Sequence, residues 1–296
     1  MPDFSVPSTC PILPAKDFLR RHAGISLTLW RKIKNGGTFM INSRPGAVNN
    51  LIYPGDVITV TWPENSSIIA EQLPLSIVYE DEWLLVVDKP AGMLVHPLSG
   101  HYLGTLANAV MHYYQQKNYT FGFHPVNRLD RNTSGLVLIA KRPDIQHRLN
   151  LNHQQIIKSY WAIASAIPPC NQGTINAPIG RKAGSIIERE VRSDGRLAIT
   201  NYRIVCANNK DCLLELTLET GRTHQIRVHL SYIGCPLHGD DLYGGSTAFI
   251  NRQALHAARL QFPHPITTQT ITISSPIPED LADLLIQLGV QMTNML

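Results

Sequence analysis

The chain has few of the features that mark a secreted, membrane-spanning or metal-stabilised protein. Its five cysteines (Cys10, Cys170, Cys206, Cys212 and Cys235) are odd in number and form no Cys-x-x-Cys pair. A disulfide framework and a structural zinc site are therefore not expected. No apolar run approaches the length that crosses a bilayer, and Met1-Pro2-Asp3-Phe4 lacks the basic start and apolar core of a signal peptide. The expectation is a cytoplasmic protein with no membrane partner. Internal repeats, low-complexity segments and Gly-rich phosphate loops are also missing. Charge of one sign is scarce outside a single segment. Of 26 Lys and Arg and 22 Asp and Glu, residues 1–62 hold seven cations (Lys16, Arg20, Arg21, Arg31, Lys32, Lys34, Arg44) and three acids (Asp3, Asp17, Asp56), leaving 19 of each sign beyond. A basic module on a neutral body suggests an arm for a polyanion, most simply nucleic acid, with an ordinary solvated face as the competing reading.

What is present is a globular composition, 44% hydrophobic and 16% charged over 296 residues, enough for one large domain and a small one. Residues 1–15 read as a tail. Residues 16–62 read as a compact helical unit followed by short strands. Ser26 can cap a helix carrying Leu27, Leu29, Trp30 and Ile33, and Gly36-Gly37 ends it. Thr38 to Asn42 and Asp56 to Thr61 alternate like half-buried strands. Pro63-Glu64-Asn65-Ser66-Ser67 and Pro74 bracket a polar linker at 63–74. From 75 to 278 short strands alternate with loops and a few helices, an α+β pattern. Candidate strands are Leu84 to Asp88, Leu136 to Ala140, Tyr160 to Ser165, Ala198 to Val205 and Leu213 to Glu219. A terminal segment, 279–296, places Leu281, Leu284, Leu285 and Leu288 at helical spacing as a packing helix.

Two segments carry chemistry. In Pro125 to Lys141, Asp130 lies between Arg128 and Arg131, followed by a small-residue turn, Thr133-Ser134-Gly135, and an apolar run of the kind a buried strand shows. Flanking cations favour an ionised, nucleophile-competent carboxylate. On these residues alone, Asp130 reads equally well as an acid bonded within its own turn. In Leu218 to Leu230, a strand ends at Glu219, Gly221 allows a turn, and Thr223 is a candidate N-cap. Ile226, Leu230 and Ile233 form a buried face, so Arg222 and Arg227 sit at a strand-to-helix corner. His224 and His229 are five apart, a poor spacing for one helical face, so metal binding is not expected.

In this order, Arg128-Leu129-Asp130, Thr133-Ser134-Gly135-Leu136, Lys158-Ser159-Tyr160 and Gly221-Arg222-Thr223-His224-Gln225-Ile226-Arg227-Val228-His229 resemble the RluA-type pseudouridine synthases. Tyr79-Glu80-Asp81 with Val87 to Gly92 resembles the family's first motif. Gly239-Asp240, Tyr243-Gly244 and Arg252 to Ala257 resemble its last. The match spans about residues 77 to 265. Residues 16–62 resemble the small RNA-binding module first known from a small-subunit ribosomal protein, although Lys16-Asp17-Phe18-Leu19 and Asn42-Ser43 depart from its usual pattern.

The resemblance implies a catalytic fold with a central mixed, largely antiparallel sheet, behind a small RNA-binding domain. It implies isomerisation of uridine in RNA without a cofactor: the N1 to C1′ bond breaks, the uracil turns, and C5 rejoins the sugar. By matching position Asp130 is the catalytic acid residue, Arg227 its partner, and Tyr160 the ring that stacks on uracil and helps remove the C5 proton. Arg128 matches the arginine that enters the RNA and helps extrude the target. Asp130 could attack the sugar, add to the base or remove a ribose proton. Arg31, Lys32, Lys34 and Arg44 are the candidate RNA contacts of the N-terminal module, and Lys89-Pro90 is read as structural. Asn127 and Cys235 stand where the family usually has histidine. Ribosomal RNA of the large subunit is the expected substrate, with transfer RNA the alternative, and a monomer is expected. A non-catalytic RNA-binding or ribosome-assembly factor is the rival reading, and it would not need Asp130, Tyr160 and Arg227 together.

Overall fold

The computed structural model describes residues 2–63 and 67–291. At the N-terminus, helices α1 (Ala15–Arg21) and α2 (Leu27–Gly36) pack on a small antiparallel sheet. Three of its four strands, β1 (Asp3–Ser5), β2 (Phe39–Ile41) and β3 (Val57–Val60), lie in the order β1-β3-β2, and the fourth, Arg44–Pro45, pairs with β2 across a hairpin turn. Ser26 caps α2, its hydroxyl oxygen accepting from the Leu29 N–H at 3.1 Å. Leu29 and Ile33 are buried, whereas Leu27 is 47% exposed, so the apolar stripe is narrower than the sequence suggests.

The expected tail, 1–15, is part of this unit. Asp3, Phe4 and Ser5 pair with Thr59, Ile58 and Val57, and Phe4, Val6 and Cys10 enter the core. A three-residue strand is too short to show a period, and only the partner strand reveals it. Asn42 and Ser43 both take positive φ, 50° and 63°, the left-handed pair a tight hairpin turn demands. The Asn42 carboxamide supports the turn, donating to Asp56 and accepting from the Val57 N–H.

Of the expected linker, Glu64-Asn65-Ser66 lie outside the described residues. The part that follows docks on the body. The Asn108 side chain donates to the Ile69 carbonyl, and the Glu71 carboxylate accepts from the Gly104 N–H. The Arg148 guanidinium donates to the Ala23 carbonyl at 3.1 Å, joining the N-terminal unit to the body as well.

The body is built on one large sheet. Its strands are β4 (Ser76–Glu80), β5 (Leu84–Lys89), β6 (Ser134–Ala140), β7 (Ile157–Ala164), β8 (Gln172–Asn176), β11 (Ile199–Ala207), β12 (Cys212–Leu218), β13 (Leu255–Pro263) and β14 (Thr270–Ser274), with the short His124–Pro125 added antiparallel on β6. Between β8 and β11, β9 (Ile179–Arg181) and β10 (Arg189–Val191) form a separate two-stranded hairpin. The order across the sheet is β8-β11-β12-β7-β13-β6-β5-β4, with β14 on β13. All these pairs are antiparallel except β6 with β13, so the sheet is mixed and largely antiparallel, as expected.

The central strands are apolar at nearly every position because both faces are covered. Leu85, Val87, Val137 and Ile139 point into one core with helix α3 (Leu106–Gln116), while Leu84, Val86, Leu136 and Leu138 point into another with α4 (Pro143–Leu151). Each such side chain stabilises the fold by about 1.5–3 kcal/mol, which makes this pair of strands a stiff base for the loops at its ends. Helix α5 (Gln225–Tyr232) follows β12. The closing helix α6 (Glu279–Gln287) buries Leu281, Leu284 and Leu285 against Ile163 and Leu213. Of the expected terminal segment, residues 292–296 lie outside the described residues.

Candidate active site

Asp130 stands on the loop that enters β6, at the edge of the stiff strand pair. Two devices fix this loop. Gly135 has φ +113°, and a Cβ there would lie 2.3 Å from the Ala257 carbonyl oxygen, so β6 can meet β13 only at a glycine. Gly135 thus lies within β6, and its role is close strand contact, not a turn. Lys89, fully buried at the end of β5, donates to the carbonyls of Pro90, Met93 and Arg131. Three carbonyl acceptors match the three protons of an ammonium. Burial pushes this group down to about 7, against the pull of Asp130 and Asp88. Lys89 therefore ties the loop after β5 to the loop of Asp130, which agrees with its structural reading.

The sequence neighbours of Asp130 are not its ionic partners. Arg131 is exposed and turns away, its Nε donating to the Gly92 carbonyl at 3.0 Å. Arg128 is exposed at the rim of the pocket that contains Asp130. The carboxylate Oδ2 instead faces Arg227, whose Nη1 lies 3.4 Å away, and His224, whose Nε2 lies 3.9 Å away. The cation beside Asp130 comes from α5, across the fold.

Arg227 has a second and tighter partner. Its Nε and Nη2 donate to the two oxygens of the buried Asp240, each at 2.7 Å. Its guanidinium also lies 4.9 Å from the centre of the Tyr243 ring. Burial alone would lower the proton affinity of Arg227, and Asp240 outweighs it and holds the group above its ordinary value. Arg227 is therefore a fixed cation.

His224 has φ +57° and occupies the N-cap position of α5, in place of the Thr223 that the sequence suggests. Helix α5 has no side-chain cap; the Gln225 carboxamide oxygen accepts from the Arg222 N–H and the Thr220 hydroxyl and so fixes the turn before the helix. The Arg189 N–H donates to the Tyr243 hydroxyl oxygen at 3.0 Å, and the same oxygen lies 2.7 Å from His224 Nδ1. Burial pushes His224 down, so the ring is neutral near pH 7, and Asp130 only partly opposes this. The tautomer with the proton on Nε2 faces a donor towards the Asp130 carboxylate and an acceptor towards the Tyr243 hydroxyl.

Tyr160 extends from β7 into the same pocket and is 6% exposed. Burial first, and the Asp130 charge second, raise its hydroxyl above the ordinary range and keep it a neutral phenol. The pocket is small, about 60 Å³, with Leu129, Ile226 and Leu255 as apolar wall. It brings together Asp130, Tyr160, Arg227 and Arg128: an acid, a ring, a cation and a rim arginine.

Arg31, Lys32, Lys34 and Arg44 are all exposed, and they belong to the N-terminal unit, not to the pocket. His229 is fully buried and bonded to Thr200 and the Ala177 carbonyl. Among the described residues no cluster of His, Cys, Asp or Glu could hold a metal ion. Asn127 serves as an extra ladder partner for β6, donating to the Leu136 carbonyl and accepting from the Leu138 N–H. Cys235 is buried beneath α5. Asp240, His224 and Tyr243 have no role that can be read from the sequence. The Gly239-Asp240 and Tyr243-Gly244 motifs are visible there, but nothing in them shows that they fold over Arg227.

Residues 83–232 match the model of the family described as RNA pseudouridylate synthase. The chain is 41% identical over 269 residues to the uncharacterized RNA pseudouridine synthase YjbO of Bacillus subtilis, covering 88% of this chain and 95% of that protein. It is 36% identical over 277 residues to ribosomal large subunit pseudouridine synthase D of Neisseria meningitidis, covering 88% and 73%. The solved structure of human RNA pseudouridylate synthase domain containing 4 has the same fold. Its TM-score is 0.61 at 24% identity, over 74% of this chain and 95% of that one. With the acid, ring and cation in one pocket of that fold, the chain belongs to the RNA pseudouridylate synthase family and is an isomerase acting on RNA.

Proposed function

We propose that this enzyme converts uridines of large-subunit ribosomal RNA to pseudouridine, with Asp130 as the acting carboxylate. The observation that carries the reading is the 3.4 Å approach of Arg227 to Asp130 inside a pocket walled by Tyr160. Attack on the sugar, addition to the base and removal of a ribose proton all call for a carboxylate in the pocket, and Arg227 supplies the opposite charge beside it. Tyr160 offers a ring for the uracil and, as a neutral phenol, a hydroxyl near C5. Arg128, at the rim of the pocket, would enter the RNA as the target nucleotide leaves its stack. The resemblance of the chain to a ribosomal large subunit synthase favours that RNA. Arg31, Lys32, Lys34 and Arg44 would add phosphate contacts from the N-terminal unit.

Pseudouridine mapping across total RNA, with and without the gene, tests the target. The expected result is loss of one or more sites in large-subunit ribosomal RNA; loss confined to transfer RNA would overturn it. Asp130→Asn tests the chemistry. Release of tritium from 5-tritiated uridine in that RNA should fall by roughly a hundred- to ten-thousandfold while RNA binding persists. Unchanged release would reject Asp130.

A further inference from the structure

The N-terminal unit holds the formal charge excess, yet the body concentrates positive charge at one place beside the pocket. The β9–β10 hairpin, the loop after it and the turn before α5 enclose a groove of about 510 Å³ containing Arg181, Arg189, Arg196 and Arg222. Arg181, Arg196 and Arg222 are exposed. Among the described residues none of these arginines has a carboxylate within ion-pair distance. The one acid in the groove, Asp194, is taken by Arg192, whose Nη2 lies 2.8 Å from Oδ2. Arg192 also donates to the Arg181 carbonyl at 2.9 Å, so it braces the hairpin from within.

Three properties define what such a groove can hold. It is cationic and built of arginine, whose planar fork fits a phosphate with two parallel bonds. No aromatic side chain lines it, so it has no platform on which a base could stack. It continues into the catalytic pocket: Arg222 lines both, and Thr223 of the groove is followed by His224 of the pocket. The hairpin is also bonded to the site, through the Arg189 N–H to Tyr243 and Tyr243 to His224. At the tip of the hairpin Ile186 is 83% exposed.

We infer that this groove is a second RNA subsite, binding the phosphodiester backbone of the strand that flanks the extruded nucleotide through Arg181, Arg196 and Arg222. It reads charge and not sequence, since phosphate contacts set register without selecting bases. The inference rests on the RNA-modifying reading of the pocket, and its first test needs no catalysis.

That test is the affinity of a fluorescein-labelled single-stranded RNA 20-mer, measured by anisotropy over a range of salt concentrations. It compares the wild-type chain with the pair Arg181→Glu and Arg196→Glu. A milder pair, Arg181→Gln and Arg196→Gln, removes the charge without reversing it and covers the case in which charge reversal perturbs the fold. As a control, Arg203→Glu changes an exposed arginine on β11 that is already paired with Glu215. Loss of two single-strand phosphate contacts should reduce the slope of log affinity against log salt by roughly 1.4. Affinity at low salt should fall at least about tenfold, and the control should match wild type. An unchanged slope and affinity in a folded Arg181→Gln/Arg196→Gln variant overturns the inference. If wild type binds the 20-mer with the expected slope change but releases no tritium from ribosomal RNA, the catalytic reading fails and the groove stands. If tritium is released and the slope is insensitive, the groove fails and the catalytic reading stands.

Discussion

Arg227 makes its two short bonds to Asp240, 2.7 Å each, and meets Asp130 only at 3.4 Å. One guanidinium serves two carboxylates unequally. Asp240 is completely buried and fixes the plane of the fork, so Asp130, which is 26% exposed, stays accessible to a substrate while keeping its cation. The acid that braces Arg227 and the acid that faces the pocket are different residues, and only Asp130 stands among arginines in the sequence.

Asp240→Ala tests this division. It leaves Arg227 buried beside a missing counter-charge, and removing one member of a buried pair costs about 3–5 kcal/mol. Urea unfolding should show that loss. The milder Asp240→Asn should remain folded and slow tritium release by about a hundredfold, the effect of displacing a positioned group by about 1 Å. Near-normal turnover in a folded Asp240→Asn enzyme would show that the brace is dispensable.

Tyr243→Phe removes the hydroxyl that accepts from the Arg189 N–H and lies 2.7 Å from His224 Nδ1. In the wild-type chain the nitrogen NMR signals of His224 should show Nδ1 bare and Nε2 protonated near pH 7. In the variant that preference should weaken, because Nδ1 loses its donor. A protonated Nδ1 in the wild-type chain would mean that the phenol accepts from His224 instead of donating to it.

Acid should weaken the corner where β4 turns into β5. Burial alone would raise the Asp81 carboxyl. The Tyr79 hydroxyl and the N–H groups of Trp83 and Leu84 outweigh it and hold the carboxyl below its ordinary value. Glu80, paired with Lys141 at 2.7 Å, is lowered in the same way. A carboxyl lowered in the folded state contributes stability above its unfolded value and loses it as pH falls through the folded one. Stability should therefore decline with a steeper slope below about pH 4 in the wild-type chain than in Asp81→Asn. Equal slopes by urea titration would remove Asp81 from the account.

Ser43 carries φ +63° next to Asn42 at +50°. A side chain in the left-handed region costs about 1–2 kcal/mol, offset in part by the larger unfolded-state entropy of glycine. Ser43→Gly should thus stabilise the N-terminal unit by roughly 0.5–1 kcal/mol, read as a higher urea midpoint at unchanged slope. A lower midpoint would mean that the serine side chain is used elsewhere.

The legible part of this protein is local. Leu84 to Asp88 and Leu136 to Ala140 read as strands because both faces are buried, and the run of apolar residues says so without a partner. The Ser26 cap and the leucines of α6 follow from spacing within one helix. The ordered motifs place Asp130, Tyr160 and Arg227 in one family before any distance is known, because their residue types and order survive in the chain itself. Short elements are not legible. The strand Asp3–Ser5 has no period of its own and exists through Thr59, Ile58 and Val57.

The α+β class, the basic N-terminal unit and the candidacy of Asp130, Tyr160 and Arg227 can all be read from the order of residues along the chain. Who faces whom is a matter of folding. Asp130 lies between two arginines in the chain, yet one turns to Gly92 and the other to the rim, and the cation that matters arrives from a helix 97 residues later. Folding likewise makes Asp240 the holder of Arg227, requires Gly135 for contact with Ala257, and collects arginines of a balanced body in one groove. Such pairings depend on strand order and helix placement, which are set by long-range packing and leave no trace in the spacing of neighbouring residues.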